Sequence, residues 1–399
     1  MTPADNKDET FSLRILPRGV WALGLVSLLM DLSSEMIHSL LPVFLVTGLG
    51  ASALAVGVIE GVAEAAAAIT RVFSGVLSDW LGRRKPLVLL GYGLAAFSKP
   101  LFPLATGVGT VLIARIVDRV GKGIRGAPRD ALVADLTPKH LRGAAYGLRQ
   151  SMDTVGAFAG PLLALVLMLA TAENFRLVFW FAVIPAFLCV AVVVVGVKEP
   201  VHEPGTVQRR FPFQIAALTR LPGRYWWVIA FAAVLTLARF SEAFLLLRAE
   251  DVGLTIAWVP LILIVMNLMY AATAYPFGRL SDRLRRWSLL SLGVSFLILA
   301  DLILAVAGNI WVVGLGSAFW GLHMGATQGL LAAIISDTAP ADLRGTAFGV
   351  FYLVTGAALL FASMIAGWLW SVAGPAMTFY AGSIFSAVAL VGLLVRYIR

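Results

Sequence analysis

Gly75-Val76-Leu77-Ser78-Asp79-Trp80-Leu81-Gly82-Arg83-Arg84 closes a long apolar run, and the same cadence returns as Gly278-Arg279-Leu280-Ser281-Asp282-Arg283-Leu284-Arg285-Arg286. A second pair keeps nearly the same offset. Asp135-Leu136-Thr137-Pro138-Lys139-His140-Leu141-Arg142-Gly143-Ala144-Ala145-Tyr146-Gly147 answers to Asp337-Thr338-Ala339-Pro340-Ala341-Asp342-Leu343-Arg344-Gly345-Thr346-Ala347-Phe348-Gly349. Two matches in order, each at the same place relative to apolar segments, identify a duplicated half. A parallel duplication of membrane helices is an architecture suited to alternating access.

Composition places the chain in a bilayer. Hydrophobic residues make up 60% and charged residues 13%, against roughly 45–50% and 25% in soluble domains. The apolar runs are each long enough to cross a hydrocarbon core as helix. Twelve are expected, near 19–46, 53–78, 87–106, 109–133, 143–170, 175–197, 224–248, 255–278, 287–307, 309–336, 345–371 and 376–397. Their length and lack of alternation exclude spanning strands. The fold class is therefore all-α integral membrane, with two pseudo-symmetric bundles of six spans.

Basic residues fall at alternate connections: Arg14 and Arg18, Arg83 to Lys85, Lys139 and Arg142, Lys198 with Arg209 and Arg210, Arg283 to Arg286, Arg344, and finally Arg396 and Arg399. By the positive-inside rule both termini and the central loop are cytoplasmic. The net charge of +9 thus reflects topology, and no nucleic-acid partner is expected. The acidic, Thr/Asp-rich start lacks the basic region of a cleavable signal, so the first span is expected to be retained. The single cysteine, Cys189, excludes an internal disulfide and a cysteine metal cluster. The expected organisation is a cytoplasmic tail over 1–18, a first bundle over 19–197, a Pro-rich cytoplasmic linker over 198–223 and a second bundle over 224–399.

The first four spans are dense in ionisable residues. Each would cost roughly 2.5–3.5 kcal/mol at a lipid-facing helix centre, so they are expected to face an interior, hydrated cavity. Span one carries Asp31, Glu35 and His38 on one face, and span two carries Glu60, Glu64 and Arg71 on another. Span four carries Arg115, Arg119, Lys122 and Arg129 on one stripe, with Asp118 and Arg125 beside it. Counting depth along each helix puts Glu60 level with Arg115. Glu64, His38, Asp118 and Arg119 form the next layer, then Glu35 and Lys122, then Asp31, Arg71 and Arg125. One reading of this network is a structural ion-pair lattice. The other is that Asp31 or Glu35 exchanges a proton as its surroundings change. Ser33-Ser34-Glu35 has a partner in Ser241-Glu242 of span seven, which favours the second reading for Glu35. Arg149 and Asp153 form an i, i+4 pair read as structural. The second half is poorer in charge, with Glu242, Asn267, Asp301 and His323 as its main polar members and Trp258, Trp320 and Tyr270 as an aromatic wall.

From about residue 19 to 397 the chain resembles a twelve-helix transporter of the major facilitator superfamily. The family's loop motif after the second span is met by Gly75, Leu77, Asp79, Gly82, Arg83 and Arg84, with Trp80 replacing the usual base; Asp282 marks the degenerate second copy. In the family this motif is implied to latch the outward-facing state. Gly156, Gly160 and Pro161 of span five resemble the antiporter motif, with Ala164 replacing its last glycine, and are read as a helix-bend element. Arg119-Val120-Gly121-Lys122-Gly123-Ile124-Arg125-Gly126-Ala127 resembles the fourth-span motif, whose arginine is implied in proton or substrate coupling. The additional cations point to an anionic guest.

These readings combine into a proton-coupled antiporter that exports a small anionic or zwitterionic organic molecule by alternating access. Proton coupling is assigned to Asp31, Glu35 and Glu64. Substrate binding is assigned to Arg119, Lys122, Arg125, Arg115, His38, Glu242, Asn267 and His323. Two alternatives stand beside it: proton-coupled uptake of an organic anion, and export of a divalent metal or metal chelate. No nucleophile–base set appears, so no enzyme activity is expected, and no cofactor or resident metal. The expected partners are the substrate, protons and lipid. The expected setting is a monomer in the inner (cytoplasmic) membrane.

Overall fold

The computed structural model describes residues 16–81, 83–138, 141–199, 215–281, 284–340 and 343–398. Within them the chain forms twelve long helices. The first bundle holds α1 (Arg18–His38), α2 (Ala53–Leu81), α3 (Lys85–Ser98), α4 (Val108–Leu136), α5 (Arg142–Ala170) and α6 (Phe175–Gly196). The second holds α7 (Gly223–Ala238), α8 (Leu261–Ser281), α9 (Arg286–Ala305), α10 (Ile310–Thr338), α11 (Arg344–Ala373) and α12 (Pro375–Ile398). Helix is what an apolar chain must form where no water can satisfy its backbone. Ten segments are long and apolar enough to cross a membrane. Of the twelve, α4 and α10 fall outside that set; the charges of α4 exclude it, although its 29 residues suffice in length.

Both bundles are built to one plan. In the first, α4 packs on α2 and α3, and α1 on α5 and α6; in the second, α10 packs on α8 and α9, and α7 on α11 and α12. The repeated sequence motifs meet inside each half. Arg84 at the entry to α3 pairs with Asp135 near the end of α4 at 2.5 Å, and Arg286 of α9 pairs with Asp337 of α10. Glu199, just beyond α6, accepts from the backbone of Arg84 and Lys85. The described part of the loop motif thus ties helices of a single bundle together. Arg83 is exposed, and a Cβ at Gly75 would stand 3.3 Å from Ala127 of α4. Gly82, Asp282 and the side chain of Asp79 lie outside the described residues, as do the tail before residue 16 and 200–214 of the linker.

The halves join along α2 and α11. Gly61 of α2 faces Leu360, and Gly367 and Gly356 of α11 face Ala53 and Ala68, so close that a Cβ at any of the three would overlap its neighbour. Small residues let the two backbones touch. On the side remote from the termini, α1 continues through Leu41–Val43 and a π-turn at Phe44–Gly48. There it meets Ala243–Asp251, the continuation of α7. One apolar core, including Phe44, Val56, Phe244 and Leu246, runs through both halves at that end. At the terminal side the first bundle keeps a separate core around Val20, Tyr92 and Val133. The space between the bundles therefore opens towards the termini.

Candidate functional site: the charged crevice between the bundles

Two helix interruptions face each other across the crevice. α1 breaks after His38, and α7 stops at Ala238 and resumes at Ala243, which leaves Arg239-Phe240-Ser241-Glu242 unwound. Irregular backbone at this depth is tolerated only where protein or water satisfies it. Here the N–H of Ser241 donates to Ser363 Oγ of α11, and that of Ala243 to Ser241 Oγ. Between these breaks lies a cavity of about 510 Å³. Its polar wall carries Glu35, His38, Glu64, Arg119, Lys122 and Arg71 from the first bundle and Arg239, Glu242, Asn267 and Gln328 from the second. Trp320, Phe240 and Tyr352 complete it on the second side.

Behind the wall the charges are matched. Arg115 holds Glu60 through two contacts, Nε to Oε1 at 3.1 Å and Nη2 to Oε2 at 2.7 Å, with both side chains 2% exposed. Lys99 of α3 donates to Asp118 of α4 at 2.8 Å and to Ser34 of α1 at 2.9 Å. Arg119 Nε stands 3.1 Å from Glu64 Oε1 at the cavity surface. His38 lies between two carboxylates, 3.4 Å from Glu35 and 3.8 Å from Glu60. Charges taken this far from water persist only when paired and hydrogen-bonded.

Glycines place this lattice. Gly121 and Gly123 of α4 press on the backbones of Gly91 in α3 and Ala67 in α2, so the residues between and beside them, Lys122 and Arg119, are held at the three-helix junction. Gly156 and Gly160 of α5 do the same against α1. A Cβ at Gly156 would come within 2.6 Å of Leu28 O and 3.1 Å of Asp31 Cβ, and one at Gly160 within 2.6 Å of Glu35 Cβ. Pro161 sits inside α5 immediately beyond, without breaking it.

Not every residue expected at the site reaches the cavity. Arg115 is consumed by Glu60. Arg125 is buried with its guanidinium 4.6 Å from the centre of the Tyr92 ring. His323 is buried on the α9 side of α10, with Nδ1 2.8 Å from Gly293 O. Asp31 lines a second cavity, described below. Arg71 rests over the ring of Tyr352 at 5.3 Å, across the seam between the halves. Among the described residues Arg71, Lys122 and Arg239 have no carboxylate within 4 Å, and no three His, Cys, Asp or Glu side chains are grouped to hold a metal ion. Tyr352 carries no signal in the sequence beyond that of an ordinary aromatic in an apolar helix, whereas Tyr270, expected in the aromatic wall, donates to Gln328 at 3.1 Å.

With this geometry in view, comparison with known proteins is decisive about kinship. The Major Facilitator Superfamily matches residues 23–247 and 237–399. The chain belongs to that superfamily. An MFS-type transporter of Methanocaldococcus jannaschii is 34% identical over 96% of each chain. The inner membrane transport protein YajR of Escherichia coli is 24% identical, over 94% of this chain and 82% of its own. The crystal structure of the nucleoside transporter NupG superposes with a TM-score of 0.80, covering 94% of this chain and 99% of that one at 10% identity, a likeness of fold. This MFS protein is accordingly a multi-pass secondary transporter rather than an enzyme.

Proposed function

We propose that this transporter is a proton-driven antiporter that carries a small anionic or zwitterionic organic molecule out of the cytoplasm. One observation carries the reading: Lys122 faces the cavity with no ion-pair partner among the described residues, close to Glu35 and across from Glu242. A cation without a counter-ion at the wall of a crevice is a seat for an anion, and a carboxylate beside it is a seat for a cationic group or a proton. Arg71 and Arg239 offer further positive charge at the same wall. Protonation of Glu35 and arrival of an anionic guest both change the balance around Lys122 and Arg119, so each is felt by the other. Asp31 and Glu64 take part in the same exchange, the latter through Arg119. The glycine-rich seat of α5 against Asp31 and Glu35, in the segment that resembles the antiporter motif, supports exchange over simple uptake. The distribution of basic residues supports cytoplasmic termini, so the crevice opens to the cytoplasm. The likeness to an inner membrane transport protein supports the same membrane here.

The test begins with a comparison of metabolites retained by cells with and without the protein. The compound whose level changes is then added to vesicles that contain the purified transporter and a pH indicator. Substrate should drive proton movement in the opposite direction, and Glu35→Gln should abolish that movement while leaving the folded protein in the membrane. A proton flux unaffected by Glu35→Gln removes this residue from the mechanism. Accumulation of the compound under an inward proton gradient means uptake instead.

A further inference from the structure

Asp153 of α5 and Asp31 of α1 share the wall of one cavity on two directly packed helices, which brings their carboxyl groups close together. Their closeness follows from packing: Gly156, one turn beyond Asp153, lets α5 rest on the backbone of α1 at Leu28 and on the Cβ of Asp31. Both carboxyls line a second cavity of about 410 Å³ between α5 and α8, next to the charged crevice, with which it shares Ala157 and Asn267. The rest of its wall is mostly apolar, including Val155, Phe158, Leu268 and Ala271. The cavity lies on the α5–α8 seam between the bundles, across from the tight α2–α11 seam.

Two carboxyl groups at such a distance cannot both be ionised without strong like-charge repulsion, so they share one proton. The surroundings fit a pair that carries one negative charge. Arg149 Nη1 is 3.1 Å from Asp153 Oδ2, and Arg129 Nη1 is 3.8 Å from Oδ1. Lys122 and Arg125 of α4 act on Asp31 from the other side. Asp130 draws on the same two arginines, Arg129 at 3.1 Å and Arg149 at 3.7 Å. Tyr270 of α8 lines the same cavity, and Cys189 of α6 is a further titratable group whose charge Asp31 would feel. Arg149 and Arg129 are thus shared between Asp130 and Asp153, and any movement of α5 against α4 that brings Arg129 closer to Asp153 favours loss of the proton.

We propose that Asp31 and Asp153 form one proton-holding carboxyl pair, reached through the α5–α8 cavity beside the crevice that takes the substrate. This rests on the proton-coupled reading above, and it adds Asp153 to the coupling machinery. In the loaded pair, one carboxylic acid donates its O–H to the neighbouring carboxylate. On release that proton passes to water in the α5–α8 cavity, both groups are ionised, and the guanidinium groups of Arg129 and Arg149 meet the second negative charge.

The experiment is an infrared pH titration of the full-length transporter in phosphatidylethanolamine–phosphatidylglycerol vesicles, with no substrate present. Wild type should show a carboxylic-acid carbonyl band whose upper step on raising pH marks loss of the shared proton. Asp31→Asn and Asp153→Asn should each remove that step, and the double variant should remove no more than either one. An unchanged upper step in folded Asp153→Asn or in folded Asp31→Asn would overturn the pair, since the shared proton needs both groups. Should Asp153→Asn fail to fold, Asp153→Glu takes its place: a displaced upper step supports the pair and an unmoved one refutes it. Absence of substrate-driven proton flux in the earlier vesicle assay, with the shared step intact, would refute proton coupling and leave the pair standing.

Discussion

Replacing Asp118 by Asn strands a lysine ammonium deep in the first bundle. Lys99 donates to Asp118 at 2.8 Å and to Ser34 at 2.9 Å, and the two charged side chains are 2% and 3% exposed. With an effective dielectric of about 20, the 2.8 Å contact represents a gross attraction of about 6 kcal/mol. The other oxygen of Asp118 lies 3.9 Å from Arg115 Nη1, which adds about 4 kcal/mol by the same arithmetic. Most of this attraction offsets the loss of hydration when the charges are buried. What the variant feels is the uncompensated cation, a loss of about 3–5 kcal/mol. Lys99→Met should cost less, because Asp118 keeps its contact with Arg115, and Arg115 is already fixed by Glu60. The double variant Lys99→Met/Asp118→Leu leaves no orphaned charge and should lie within about 1 kcal/mol of wild type, or above it. The assay is thermal unfolding of wild type, Lys99→Met, Asp118→Leu and their double variant in one detergent, read as a double-mutant cycle, with Asp118→Asn measured beside them. A double variant that loses the sum of the two single losses would refute the reasoning, since the two charges would then be acting independently.

Two further outcomes follow from the same packing. Gly160→Leu places a side chain where a Cβ alone would stand 2.6 Å from Glu35 Cβ and 3.0 Å from Leu32 O. The expected loss is about 1–3 kcal/mol from overpacking, seen as a lower unfolding temperature, whereas Gly147→Ala, in open space, should leave it unchanged. At the cavity surface, Glu64→Arg and Arg119→Glu should each lower the amount of protein in the membrane. The exchanged pair should restore most of it, and quantitative immunoblotting that finds no recovery would show that the 3.1 Å contact does not hold these residues in place.

Hydropathy and the duplicated motifs made twelve helices in two like bundles legible, because a bilayer leaves an apolar chain few alternatives. Depth counting along helices also brought Glu60 level with Arg115 and Glu64 level with Arg119, and the geometry joins both pairs. The same counting set Asp31 level with Arg71 and Arg125, yet those guanidiniums lie over Tyr352 and Tyr92. Periodicity tells which residues share a face, while the rotation of one helix against its neighbour depends on contacts that no single segment encodes. Asp153 was obscured for that reason: its spacing from Arg149 explains it locally, and that bond does form at 3.1 Å, but the neighbour across the helix boundary is Asp31. The break in α7 was hidden as well. Arg239 to Glu242 contain neither glycine nor proline, so the unwinding comes from the tertiary setting, with Ser363 accepting the N–H that an intact helix would have bonded. The loop motif was readable as a charged clasp, but the Arg84–Asp135 and Arg286–Asp337 pairs act within each bundle.

The bare backbone contact between α2 and α11 has a mechanical meaning. Surfaces that meet through glycine and carbonyl atoms interlock like teeth, and sliding one helix past the other would drive Cα atoms into peptide groups. Turning about their common line disturbs those contacts least. A rearrangement that preserves them is therefore a swing about an axle on one flank of the molecule, with displacement growing in proportion to distance from it. The opposite flank, where α5 faces α8, travels furthest, and the two aspartates there sit at the end of the longest lever the fold provides.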